Sequence, residues 1–388
     1  MKPPGTGFKL LTSLIFFSLL AAGGLPLLKH RHFPVEIVCG PGVTEIKWLS
    51  DFFPPLKGTA ADTPVFVLSG AEPGGQALIM GNTHANEPEG LLAVAIMIEN
   101  AVVEKGTLYL IPCFNRSASL NTRPGEGYPL YFSVTTPWGK KKFRLGNRDA
   151  SPLDQWPDPD VYIHYPERQM LSYLDIRNTN RTWPGRKNGL PMEQVTFAAM
   201  ELLRGNRVDL AIDLHGAETM FPVTNCIVAP EKSMRIATLA SLTVKSMEGF
   251  ENHLESSPEK FRGLSHREIG DYSETLPFLL EAPIPFLDQP TGAKTEQLFL
   301  TGRDEFLLSL SRKKKLFVPY DESGWPLDRR VGQHLSVTLE IIRQYSRKNP
   351  DRAINLRQVP RYSDLIKNGT GAYFHNPAEA EKDRVVKL

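Results

Sequence analysis

The chain has 388 residues, 23% of them charged and 41% hydrophobic, an ordinary globular composition with length enough for one large α/β core or two smaller ones. Basic residues exceed acidic ones by only 45 to 43, a formal charge of +2, which leaves no cationic field to hold a nucleic-acid backbone. Cys39, Cys113 and Cys226 are too few and too far apart for a disulfide scaffold or a cysteine zinc site, and the 32 prolines are scattered, which suits rigid loops and excludes a collagen-like repeat.

Residues 1–34 open with Lys2 and Lys9, continue as an uncharged run from Leu10 to Leu28, and close on Lys29, His30, Arg31 and His32. This is the pattern of an export signal. Ala21, Ala22, Gly23 and Gly24 offer a cleavage site, yet the run of about 19 residues is near the length that spans a bilayer, so a signal peptide and a retained anchor are both open. Gly23, Gly24 and Pro26 speak against a buried helix. The expected location is extracytoplasmic or periplasmic, with membrane contact only through this segment.

From residue 35 to 348 short apolar, β-branched runs alternate with helical patterns, the signature of a layered α/β domain. Strands are predicted over 63–69, 76–81, 107–112, 208–214 and 277–280, and helices over 89–103, 191–203, 231–247 and 331–345. The expected fold is a three-layer α/β/α domain with a mixed twisted central sheet. The Pro-, Gly- and aromatic-rich stretch 115–180 reads as a long ordered surface excursion. Its aromatic residues, among them Tyr128, Trp138 and Trp156, suit either a roof over a cleft or a satellite cluster under a loop. Residues 349–388 are too few to hold a core alone and read as an extension packed on the main domain, with an end free to fray.

The chemistry concentrates in ALIMGNTHANEPEG. A buried strand runs into a turn where His84 and Glu87 follow at i, i+3, and Pro88 suits a first helical position, which puts Glu87 at the N-cap. In open α/β sheets ligands bind beyond the carboxyl ends of strands. A second strand, VDLAIDLHG, delivers His215 and is expected to stop at Gly216. Two imidazoles and one carboxylate around Zn²⁺ leave a fourth position open, the arrangement of a catalytic site.

GNTHANEPEG, RNTNRTWPG (177–185) and IDLHG together resemble, in order and spacing, the zinc carboxypeptidase superfamily, and within it the succinylglutamate desuccinylase and aspartoacylase branch. The resemblance covers about residues 77–281. It implies a zinc-carboxypeptidase-like (phosphorylase/hydrolase-like) fold and one Zn²⁺ per chain, held by His84, Glu87 and His215. Two positions depart from the pattern: Ala85 replaces a usual glycine, and Asn178 stands where the D-x-N-R motif has its aspartate. An acidic partner orients a ligating imidazole and raises its basicity, whereas Asn178 can only orient. Asp213, on the strand face of His215, is a candidate substitute, or else holds a loop.

Amide hydrolysis needs a base to take a proton from water and return it to the leaving amine, and cations for the oxyanion and for a substrate carboxylate. Glu281 follows an apolar strand, and the resemblance puts its general base there; Glu274 and Asp288 are local competitors. The resemblance gives Asn180 and Arg181 the substrate carboxylate, which Arg's planar fork suits. Arg123 is the expected oxyanion cation, with Arg116 and Arg144 as alternatives and Asn115 ordering the same wall. Tyr272 is the candidate phenol over bound substrate. The expected activity is zinc-dependent cleavage of an amide next to a carboxylate, as in an N-acyl amino acid deacylase. The alternatives are an exported metallocarboxypeptidase acting on short peptides or cell-wall peptides, and a non-catalytic module that binds metal and carboxylate.

Overall fold

The β-branched runs seen in the sequence line up as the middle of one sheet in a computed structural model that describes residues 5–122 and 128–388. In chain order the elements used below are α1 (Thr6–Arg31), β1 (Glu36–Val38), β2 (Glu45–Trp48), β3 (Pro64–Ser69), β4 (Glu72–Met80), α2 (Pro88–Asn100), β5 (Val102–Ile111), α3 (Pro191–Gly205), β6 (Leu210–Glu218), β7 (Cys226–Ala229), α4 (Glu231–Glu248), β8 (His253–Ser256), α5 (Ser265–Tyr272), β9 (Leu276–Ile284), α6 (Leu327–Lys348), β10 (Asn355–Arg357), α7 (Tyr362–Asn368) and β11 (Val385–Lys387). Eight strands lie in the order β8-β7-β9-β6-β4-β5-β3-β2, and β10 adds a ninth on β5. The sheet is mixed: β6 is parallel to both β4 and β9, whereas β7 is antiparallel to β9 and β3 to β5.

Strand alternation sends side chains to two layers. Ala77 and Ile79 face a core shared with α2, α4 and α6, while Leu78 and Met80 face a second core with α3. Helices on both sheet faces make the three layers. Burial of each aliphatic side chain contributes about 1.5–3 kcal/mol, so these two cores fix the sheet between its helical layers.

Strand ends differ most from the sequence pattern. β6 does not stop at Gly216 but runs to Glu218, and Glu281 lies within β9, not after it, because the two strands stay paired in parallel from Leu210↔Leu276 to Glu218↔Ile284. The helix predicted to reach 103 ends at Asn100, and Val102 and Val103 join β5, where β10 pairs with them. Within the excursion, Tyr131–Thr136 and Gly139–Arg144 form a hairpin whose Phe132 and Phe143 enter the main core.

The three cysteines are free and buried. α1 is helical through Gly23, Gly24 and Pro26, its apolar side chains exposed and His30 alone buried. The C-terminal stretch is pinned to its last residue: α7 packs on α6, β11 pairs with β1, and the Leu388 N–H donates to the Val35 carbonyl at 2.9 Å.

Candidate metal centre and cleft

β4 ends at Met80, and the chain turns through Asn82, at φ 50°, before α2 begins at Pro88 with Glu87 as its N-cap. This turn aims His84 and Glu87 toward His215, which β6 delivers from the adjacent strand. The three side chains are buried, and one ligand atom from each lies within 4.8 Å of the others. Glu87 bridges the imidazoles: Oε1 is 2.7 Å from His84 Nδ1 and Oε2 is 3.0 Å from His215 Nδ1.

Each far ring nitrogen faces a polar side chain. His84 Nε2 is 2.9 Å from Asn178 Oδ1, an oxygen that also accepts the Asn180 backbone N–H, so the ring donates from Nε2 and keeps its Nδ1 lone pair facing inward. His215 Nε2 is 3.0 Å from Asp213 Oδ2, and Asp213 in turn accepts the hydroxyls of Thr83 and Ser265, each at 2.6 Å. Asn178 therefore orients the His84 ring by a hydrogen bond, whereas Asp213 meets His215 Nε2 as a charged neighbour without hydrogen-bond geometry. The donor set fits a divalent cation. Two inward nitrogens, one carboxylate and a second carboxylate behind one ring would balance a +2 ion in a buried place.

The electrostatics agree. Burial, and then the Arg148 cation, lower the His84 pKa to about 4, so this ring is neutral and available as a ligand at neutral pH. Burial also opposes a charge on His215, but Asp213 and Glu87 outweigh it and raise its pKa well above the ordinary imidazole value. Glu87 is likewise pushed up by burial and pulled below the usual carboxylate range by the two rings. A ring held between two carboxylates is a place built for positive charge.

Glu281 is the register partner of His215 on β9, and its buried Oε2 has no hydrogen-bond partner among the described residues. Burial raises its pKa well above the usual range. It opens on a cleft of about 500 Å³ that also contains His84, Glu87, Arg148, Asn180 and Arg181. Asn180 Oδ1 accepts the Ser265 backbone N–H at 2.8 Å, and the Arg181 guanidinium sits 4.8 Å from the Phe261 ring, with burial lowering its pKa to about 10. Glu218, Glu255 and Asp288 line other parts of the cleft. Its floor is the sheet face itself, with Leu279 and Val228 leading from Asp213 toward Glu255 on the edge strand.

Other expected residues lie elsewhere. Arg123 is outside the described residues. Arg148 is a cation beside the His84–Glu87–His215 set, with Nη1 3.6 Å from Glu87 Oε1. The loop before it is stitched to the metal turn, since Ala85 N–H donates to Asn147 O and Gly146 N–H to Ala85 O, each at 2.9 Å. Gly146 also leaves room for Ala85: a Cβ at Gly146 would meet Ala85 Cβ at 2.6 Å. Asn115 is occupied as an N-cap, its Oδ1 accepting the Ala118 N–H at 3.1 Å, and does not line the cleft. Tyr272 lies at the far end of α5 with its hydroxyl on Glu167, outside the cleft. Glu274 and the excursion aromatics are also absent from the lining, whereas Asp288 is present. Sequence reasoning missed Arg148 and His266. The latter is buried at the cleft with Nδ1 2.8 Å from Ser257 Oγ. No spacing relates either to the metal motif; only the fold brings them in.

No family model and no curated protein matches the chain. Solved structures do resemble it. A metallo-carboxypeptidase from Burkholderia cenocepacia is 12% identical at a TM-score of 0.45, with 84% of this chain and 68% of that one covered. The tripeptide-bound cell shape determinant Csd4 of Helicobacter pylori is 12% identical at 0.44, covering 78% and 60%. A succinylglutamate desuccinylase from Silicibacter is 16% identical at 0.35, and the chain matches 61% of itself to only 57% of that protein's length. All three are structures of the zinc carboxypeptidase-like superfamily.

Proposed function

We propose that the chain is a hydrolase of the zinc carboxypeptidase-like superfamily that uses one Zn²⁺ to cleave an amide bond next to a carboxylate. The observation that carries this reading is the inward His84–Glu87–His215 set with Glu281 beside it by strand register. When bound, the ion supplies a Lewis acid for the scissile carbonyl and acidifies water.

The protein's own groups account for the rest. Asn178, by its hydrogen bond, and Asp213, by its charge, hold the rings so that both Nδ1 atoms point the same way. Glu281, partly desolvated and without a partner on Oε2, takes a proton from the attacking water and returns it to the departing nitrogen. Arg148, next to Glu87, is placed to stabilise negative charge on the carbonyl oxygen, a role given in the sequence reading to Arg123. Arg181 offers a fork for the substrate carboxylate, and Asn180, whose Oδ1 is taken by Ser265, offers its amide N–H groups.

The motif form favours an N-acyl amino acid as substrate. One feature favours a peptide: the Glu255 side chain lines the cleft with no hydrogen bond or ion pair to its carboxylate among the described residues, and a peptide ammonium would meet it while an acyl group would not. The apolar α1 behind a basic start supports action outside the cytoplasm. The test is a hydrolysis screen of N-succinyl, N-acetyl and N-formyl amino acids beside short peptides and muropeptides, with and without chelator. Chelator-sensitive release from any one class supports the reading, and no release from any of them overturns it.

A further inference from the structure

α1 is about 39 Å long at 1.5 Å per residue, more than the roughly 30 Å of a bilayer's hydrocarbon core. Its 18-residue apolar window has a mean hydropathy of 2.0 and is 0% buried against the protein. What distinguishes it from a loose leader is its base. His30 is fully buried with Nε2 2.9 Å from the Leu145 carbonyl. Arg31 reaches Asp154 with both guanidinium nitrogens, at 2.5 and 3.2 Å. The Phe33 ring lies 5.1 Å from Tyr131, and its carbonyl accepts from Arg144. The helix passes into the body with no slack between them.

The surface around this base has the composition of a membrane interface. Leu153 and Trp156, 80% and 75% exposed, flank the Asp154 that pairs with Arg31, so chain geometry keeps Trp156 within about 7 Å of it, Cα to Cα. Tyr128 is 54% exposed, three residues from the Tyr131 ring that packs on His30. Lys142 lies 3.9 Å over Tyr131, and Lys29 is exposed at the last turn. Trp and Tyr gather at the headgroup level of bilayers, and lysines there meet anionic lipid. Residues 21–24 lie within this helix and end less than two turns before His30.

We propose that α1 stays on the chain as a bilayer anchor and that the surface at its base, with Trp156, Leu153, Tyr128 and Lys142, rests in the lipid headgroup layer. A bilayer satisfies both the bare helix and the exposed residues near its base. Neither half depends on the hydrolase reading.

Two measurements on the full chain test it. The intact mass of protein from the membrane fraction should include α1, and a chain beginning after residue 22 overturns the proposal. In vesicles of phosphatidylcholine and phosphatidylglycerol brominated near the headgroup, tryptophan emission should be quenched, and Trp156→Phe should lose that quenching while its thermal melt is unchanged. α1 contains no tryptophan to confuse the signal. Quenching equal in the two proteins overturns the headgroup contact. Absence of quenching with Trp156 shielded in a concentration-dependent dimer overturns it too, and gives the surface to a second copy.

Discussion

His215 and Glu281 are register partners on adjacent parallel strands, so the candidate ligand ring and the Glu281 carboxylate are fixed relative to one another by backbone hydrogen bonds and not by a flexible loop. Proton transfer by a positioned carboxylate contributes about 10²–10⁴-fold. Glu281→Gln should lower the hydrolysis rate by about that factor while zinc content, measured by mass spectrometry, stays near one equivalent. A variant as fast as the parent removes Glu281 from the chemistry.

The ligand set makes a second prediction. Dialysis against chelator should abolish hydrolysis and lower the melting temperature, and zinc added back should restore both. Binding to the folded state alone stabilises by about 4 kcal/mol at a thousandfold excess over Kd. His84→Ala and His215→Ala should each fail to retain the ion. Full retention by both would place the metal elsewhere.

The two cleft arginines should separate kinetically. Arg181→Lys keeps the charge but loses the fork, so KM should rise about tenfold with kcat nearly kept. Arg148→Ala should instead lower kcat by about 10² with little change in KM, since its donor is called upon as charge develops. Equal effects on KM from both would merge their roles.

Gly263, at φ 83°, presses against the Arg181 carbonyl so closely that a Cβ has no room. Gly263→Ala should therefore raise KM in the manner of an Arg181 change, with metal content unaltered. A variant with parental KM would mean that this loop does not hold Arg181 in place.

Glu268 is buried, and burial raises its pKa to about 7 against the pull of the Gly263 N–H and Arg262. A carboxyl whose folded pKa lies above its unfolded value near 4.3 binds its proton more tightly when folded, so its contribution is present below about pH 4 and lost as pH rises through 7. Urea midpoints of Glu268→Gln should gain on those of the parent between pH 5 and pH 8. A constant difference would show that Glu268 has an ordinary pKa.

The metal turn was readable because strand, turn, Pro88 and helix are all local signals, and Glu87 is indeed the N-cap of α2. The ends of β6 and β9 were not: Gly216 looks like a stop, and only the partner strand, invisible to local pattern, carries pairing on to Glu218. Arg148 is in the site because Gly146 and Asn147 pair with Ala85, a contact between segments far apart in sequence. Asn115 and Tyr272 misled for the opposite reason. Each is the right residue type near the right motif, but one is taken up in capping a short helix and the other by Glu167.

Because β1 pairs with β11 and the Val35 carbonyl accepts the Leu388 N–H, the strand that follows α1 is completed by residues 385–388. This small sheet closes only when residues 385–388 reach the root of α1, a pairing between segments very distant in sequence. A tag fused after Leu388 would emerge beside the root of α1, where even a short appendage competes with the closing pair.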